Sequence, residues 1–96
     1  MPRLELSTDA ERDVEGMFLY GVMQFGSSQA DSYTAGLRQT LDRIVQHPAA
    51  ARLREEIRPP VRLYRYRAHH ILYAVDGERI IILRILHRSA NWLDHL

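Results

Sequence analysis

At 96 residues the chain has room for one modest hydrophobic core and excludes a multidomain machine. Its 46% hydrophobic and 26% charged fractions suit an ordinary globular domain, and the absence of cysteine excludes disulfides and thiolate metal sites. Net charge is only +1, yet residues 1–47 hold four arginines against seven acids, whereas residues 52–88 hold nine arginines against four.

All thirteen cations are arginines. The flat fork of arginine suits bidentate contacts with carboxylate or phosphate, so the second half offers a basic face for an acidic partner or nucleic acid. The bland alternative is arginine standing in for lysine on a solvated surface. No apolar run approaches the roughly 20 residues of a membrane span, and the start lacks the pattern of a secretion signal. One cytoplasmic domain over 1–96 is expected.

Arg3 to Leu6 alternates polar and apolar, as a short edge strand does. Thr8-Asp9-Ala10-Glu11 then reads as a capping box, with Thr8 as the cap. Ala10, Val14, Met17, Gly21 and Phe25 recur at spacings of 3 and 4 and form one stripe of an amphipathic helix. Leu19, Val22 and Met23 lie off that stripe. They offer a groove for an amphipathic partner helix, or else pack under the first strand.

Gly26 fits a helix stop, after which Ser27-Ser28 reopens a helix with Asp31 in its first turn. Ala30, Tyr33, Leu37, Leu41 and Ile44 carry the second stripe, and His47-Pro48 ends it. So short a link returns the second helix along the first as an antiparallel hairpin. Gly16, Gly21 and Gly36 weaken helix propensity, which close approach where the helices cross would offset.

Ala50 to Ile57 reads as a helical turn or two before Pro59-Pro60 forbids continuation. Val61 to Arg67 is a strand with Tyr64 and Tyr66 on one face. His70 to Val75 and Arg79 to Ser89 flank Asp76-Gly77, a strong hairpin signal. Arg79–Ser89 is rich in isoleucine and reads as a central strand covered on both faces. The tail from Ala90 is short, and Trp92 and Leu93 fold it back on the sheet. The fold class is α+β: a short first strand, then an antiparallel two-helix hairpin packed on a three- to four-stranded antiparallel sheet.

Five histidines raise a metal site, but His69 and His70 are adjacent and point to opposite faces of a strand. His47, His87 and His95 follow no ligand spacing, so no metal and no cofactor is expected. The chemistry left is cationic: Arg58, Arg62, Arg65, Arg67, Arg84, His87 and Arg88. His87 is the candidate acid or base for RNA cleavage, with arginines against the developing charge. Arg84 and His87 share such a site only if the strand ends or bulges near Leu86. Otherwise the tyrosines fill the helix-facing sheet and the arginines snorkel from its rim.

Taken together, Ala10, Asp13-Val14, Met17, Tyr20, Phe25-Gly26, Ala30, Tyr33, Leu37, Leu41, Ile44 and Pro48 resemble the helical hairpin of the ParE branch of the RelE/ParE toxin superfamily. Ile57-Arg58, Val61-Arg62, Tyr73, Val75-Asp76-Gly77 and Ile82-Leu83-Arg84-Ile85-Leu86-His87 resemble its sheet more closely. Pro59-Pro60 and His69-His70 depart from that pattern. The resemblance implies a toxin of a type II toxin–antitoxin pair that inhibits DNA gyrase by binding. Its partner would be a cognate ParD-like antitoxin in a hetero-oligomeric complex, with no direct nucleic-acid contact and no catalytic residues.

The alternative within the superfamily is a ribosome-dependent messenger RNA endonuclease of the RelE type, which would use His87, Arg84 and Arg65. Candidate target-binding residues are Arg58, Arg62, Arg84, His87, Arg88 and Trp92. Candidate antitoxin-binding residues are Leu19, Val22, Met23, Arg65 and Arg67.

Overall fold

Strand β5 (Arg79–His87) lies between β1 (Arg3–Leu6) and β4 (His69–Asp76) in the computed structural model, which describes residues 2–96. Beyond β4 come β3 (Val61–Tyr66) and a two-residue β2 (Leu53–Arg54), giving the order β1-β5-β4-β3-β2. Helices α1 (Thr8–Phe25) and α2 (Ser27–Gln46) form the expected hairpin against this layer. The α+β class holds, but the sheet has five strands and is mixed, because β1 runs parallel to β5 from Arg3↔Arg79 to Leu6↔Ile82. A strand that adds beside a partner 76 residues later leaves no local signature of its direction.

Three local readings shift. The α1 cap is Ser7, whose Oγ accepts from the Ala10 amide at 3.0 Å, one residue before the expected Thr8. Ser7 also donates its hydroxyl to Leu83 O at 2.7 Å and its amide to Ile82 O, so one residue starts the helix and fixes it to β5. The span 50–57 holds β2 and turns in place of a helix, since Leu53 and Arg54 pair with Arg62 and Val61. In α2 the first turn carries no acid, and Asp31 falls beyond it. The β4–β5 hairpin forms as read; Asp76 pairs with Arg79, and Gly77-Glu78 make the loop. Gly77 has φ +59 in the first loop position, where a tight hairpin turn takes glycine.

β5 carries one irregularity that decides which side chains meet. Leu72 pairs with Arg84 but Tyr73 pairs with Ile82, leaving Leu83 as an extra residue. Ile80, Ile82 and Ile85 therefore join one core despite the odd spacing, with Ile44, Leu37, Leu41, Ile71 and Tyr73. Leu72 and Leu86 are buried outside that cluster, so the central strands are covered on both faces as their composition suggests.

Two of the three helix glycines mark close approaches. A side chain on Gly21 would meet Ala30 Cβ at 3.3 Å, where the helices cross, whereas one on Gly36 would run into the Tyr66 hydroxyl of the sheet. Nothing lies within 4 Å of such an atom at Gly16. The tyrosines are structural: Tyr66 donates to Tyr33 O at 2.8 Å and Tyr73 to Pro48 O at 2.7 Å. Burial pushes the Tyr73 phenol up. The tail forms one 3₁₀ turn, Trp92–His95, with Trp92 half-buried and Leu93 exposed.

Candidate functional site

Where β1 ends at Leu6, β5 continues with its outer edge unpaired, and α1 crosses that edge. Asp13 on α1 accepts from the Ile85 amide at 2.9 Å, replacing a strand partner. The same carboxylate accepts from Arg84 Nε and Nη2 at 2.8 and 2.9 Å, a bidentate pair with both side chains largely covered. These hydrogen bonds raise the Arg84 pKa above its ordinary value. Arg84 is thus the anchored edge of the sheet. Asp13 escapes a stripe analysis, because an acid beside Val14 in an amphipathic helix looks like solvated decoration.

Arg84 lies opposite Leu72 and His87 opposite His69, so the two stand on opposite faces of the sheet. The bulge at Leu83 precedes both and does not bring them together. Arg65, opposite His70, shares the Arg84 face with the whole of β4 between them. The acid, base and cation that RNA cleavage requires are therefore not assembled from His87, Arg84 and Arg65. His87 is exposed, and its Nδ1 lies 2.7 Å from Ser89 Oγ.

The other cationic candidates scatter. Arg62 turns to the helix side and donates to Ala51 O. Arg58 borders a cleft of about 400 Å³ that Arg84, His95 and Leu96 also line. Arg88 is exposed, while its amide closes onto Ala68 O. Arg65 donates to Arg67 O, and the Arg67 guanidinium lies 5.9 Å from the Tyr66 ring centre.

A larger groove of about 770 Å³ opens between the tip of the helical hairpin and the β3–β4 turn. Met17, Tyr20, Phe25 and Ala30 supply apolar walls, and Tyr33, His69 and His87 with Arg67 supply the polar side. No carboxylate lines it. The Tyr33 hydroxyl accepts from the Ala68 amide at 3.2 Å and lies 2.7 Å from His69 Nδ1, tying α2 to the start of β4. The His69 and His87 rings meet edge to face at 5.5 Å. Burial, followed by the neighbouring His87 and His70, lowers the His69 pKa below its usual 6.5. On the far face, burial and then Arg65 and Arg54 do the same to His70.

Along the outside of α1, Leu19 is 53% and Met23 83% exposed, while Val22 is half-buried. Leu19 and Met23 are thus not packed under β1. With Tyr20 and Phe25 they leave an apolar surface continuous with the groove. Among the described residues no group of three metal-ligating side chains converges, and no helix is long and apolar enough to cross a membrane.

A helical hairpin on a mixed sheet, bearing an apolar groove with a cationic side, is the build of a small binding module. The same fold occurs in a solved structure described as a chromosomal ParDE toxin–antitoxin system from P. aeruginosa, with TM-score 0.76 and 22% identity over 91% of this chain and 96% of that one. In sequence, the chain is 32% identical over its full length to a Caulobacter vibrioides protein named Toxin ParE1, covering 99% of it. It is also 32% identical over 93% of its length to Toxin ParE1 of Mycobacterium tuberculosis, covering 92% of that protein. The model of the ParE toxin of type II toxin–antitoxin systems, parDE, matches residues 4–92. The chain belongs to the ParE toxin family, as the residue pattern implied, and the RelE-type nuclease reading gives way to it.

Proposed function

We propose that this toxin arrests growth in the cytoplasm by binding DNA gyrase without catalysing a reaction, and that a ParD-like antitoxin holds it inactive. One observation carries the non-catalytic reading: Arg84, the cation best placed in sequence for cleavage chemistry, is engaged by Asp13 and serves the fold. His87 stands on the other face, so protein–protein contact is the chemistry these surfaces support best. The target-facing candidates that stay available are Arg58, Arg88 and Trp92 with His87, separate points suited to acidic side chains on a partner, whereas Arg62 is turned to the helix side and held by Ala51 O. Arg84 belongs to that set only through its outer edge.

The antitoxin is assigned to the hairpin side. Leu19, Val22 and Met23 would receive the apolar face of an amphipathic helix and Arg67 its acidic residues, while Arg65, the other candidate, lies on the opposite face of the sheet. Expression of the toxin alone is expected to induce the DNA-damage response, with relief when the antitoxin is co-expressed. Rapid translation arrest with cut messengers and no damage signal would overturn the gyrase assignment. Replacing Leu19 or Met23 by aspartate should weaken antitoxin binding; unchanged affinity in a folded variant would overturn the hairpin assignment.

A further inference from the structure

Resting on the antitoxin reading above, we propose that the partner places a carboxylate against His69 in the groove, and that His69 takes up a proton as the complex forms. The toxin–antitoxin complex then tightens as pH falls.

The groove has apolar walls and is also lined by an arginine and two imidazoles, with no acid among its lining residues. A partner segment that fills it with apolar side chains alone would bury the polar groups of His69 and Arg67 without compensation, which is costly. A segment bearing one acidic residue satisfies them, so the groove fits an amphipathic, acidic strand or helix.

In the free chain His69 is neutral at neutral pH, since burial and the adjacent His87 and His70 oppose its charge. The Tyr33 hydroxyl accepts from the Ala68 amide, so its proton is available for His69 Nδ1. When the hydroxyl donates to Nδ1, Nε2 carries the hydrogen of the neutral ring. The titratable and charged groups around the ring come from every packed element. Tyr33 is contributed by α2, Tyr66 by β3, Arg67 by the β3–β4 turn, His87 by β5 and His70 by β4 itself, while Asp13 on α1 acts at longer range. Asp13 is already committed to Arg84 and Ile85. A carboxylate arriving from a partner would therefore be the first close anion His69 meets, and it would favour the imidazolium.

The sign follows from linkage. The group is below its ordinary pKa when free and raised when bound, so binding takes up a proton between those two values. Affinity should rise as pH falls through that window, by at most about tenfold per pH unit for one proton.

The test is calorimetric titration of the full-length toxin with the antitoxin encoded beside it, from about pH 7.5 to about pH 6.0, in buffers of different ionisation enthalpy. Roughly a fivefold or greater tightening is expected, with close to one proton taken up per complex. In H69Q the tightening and the proton uptake should both vanish. In R67Q affinity should fall at every pH with the slope retained. If H69Q does not fold, the His69 and His87 ring resonances of the unaltered protein, followed over the same pH range with and without antitoxin, decide: a bound-state rise at His87 alone overturns the inference. A complex of constant affinity with no proton uptake, or a slope that persists in H69Q, overturns this inference alone. No complex at any pH overturns the antitoxin reading and the inference together. Self-association of the toxin that closes the groove would overturn it in favour of a second copy as occupant.

Discussion

Replacing Asp13 by alanine tests the anchored edge of β5 directly. The substitution removes the acceptor of two guanidinium hydrogen bonds and one backbone amide, at 2.8, 2.9 and 2.9 Å. Hydrogen bonds to charged groups contribute about 1.5–3 kcal/mol each in mutational series, and they do not add when they share one carboxylate. Breaking a buried pair from one side costs about 3–5 kcal/mol, an upper limit for a pair in the interior. Here Asp13 is 14% and Arg84 20% exposed, so water compensates part of the loss. We expect about 3 kcal/mol, which for a domain of this size lowers Tm by roughly 12–20 °C.

D13N keeps an acceptor for the Ile85 amide and should lose about half as much. The double variant D13A/R84M removes the stranded guanidinium and should recover at least about 1 kcal/mol relative to D13A, a coupling that chemical denaturation followed by circular dichroism resolves. A loss below about 0.5 kcal/mol in D13A would refute the reasoning, since a surface substitution gives as much. Equally contrary would be R84M of unaltered stability that no longer arrests growth, for then Arg84 would act on the target.

Other consequences are open to the same denaturation measurements. S7A should cost about 1–2 kcal/mol, because it removes a cap and the bond to Leu83, whereas T8A should be nearly neutral. G16A should stabilise by up to about 1 kcal/mol, while G36A should destabilise, since the added methyl group meets the Tyr66 hydroxyl. Equal effects at the two glycines would contradict the packing described. Arg79 donates to Glu5 and holds its carboxyl below the usual 4.5. A depressed carboxyl stabilises above its unfolded pKa and loses that contribution as pH falls through the folded value. The fall in stability between roughly pH 5 and pH 3 should therefore be shallower in E5Q, and an unchanged slope would show that the exposed pair contributes nothing.

Much of this architecture can be read from residues, and the failures have physical causes. Both helix stripes, the glycine break at Gly26 and the hairpin at Gly77 are local, so they survive without tertiary knowledge. The cap is displaced by one residue because Ser7 and Thr8 are both competent hydroxyls. Contact with Leu83, far along the chain, selects Ser7. β2 is too short to carry a period, and its pairing with β3 alone defines it. The extra residue at Leu83 is silent in a run of isoleucine and leucine that suits either face.

At the candidate site, the opposite orientations of His69 and His70 follow from strand geometry. The partnership of His69 with Tyr33 does not, because it joins residues 36 apart. The role of Asp13 is equally hidden, because it exists only once β1 has ended and left the β5 edge open.

The most direct measurement sets purified toxin beside two substrates: gyrase supercoiling relaxed plasmid, and translating ribosomes carrying messenger RNA. The account predicts that supercoiling stops in the first reaction and resumes when antitoxin is added, while the messenger in the second remains whole. Cut messenger beside fully active gyrase would contradict it.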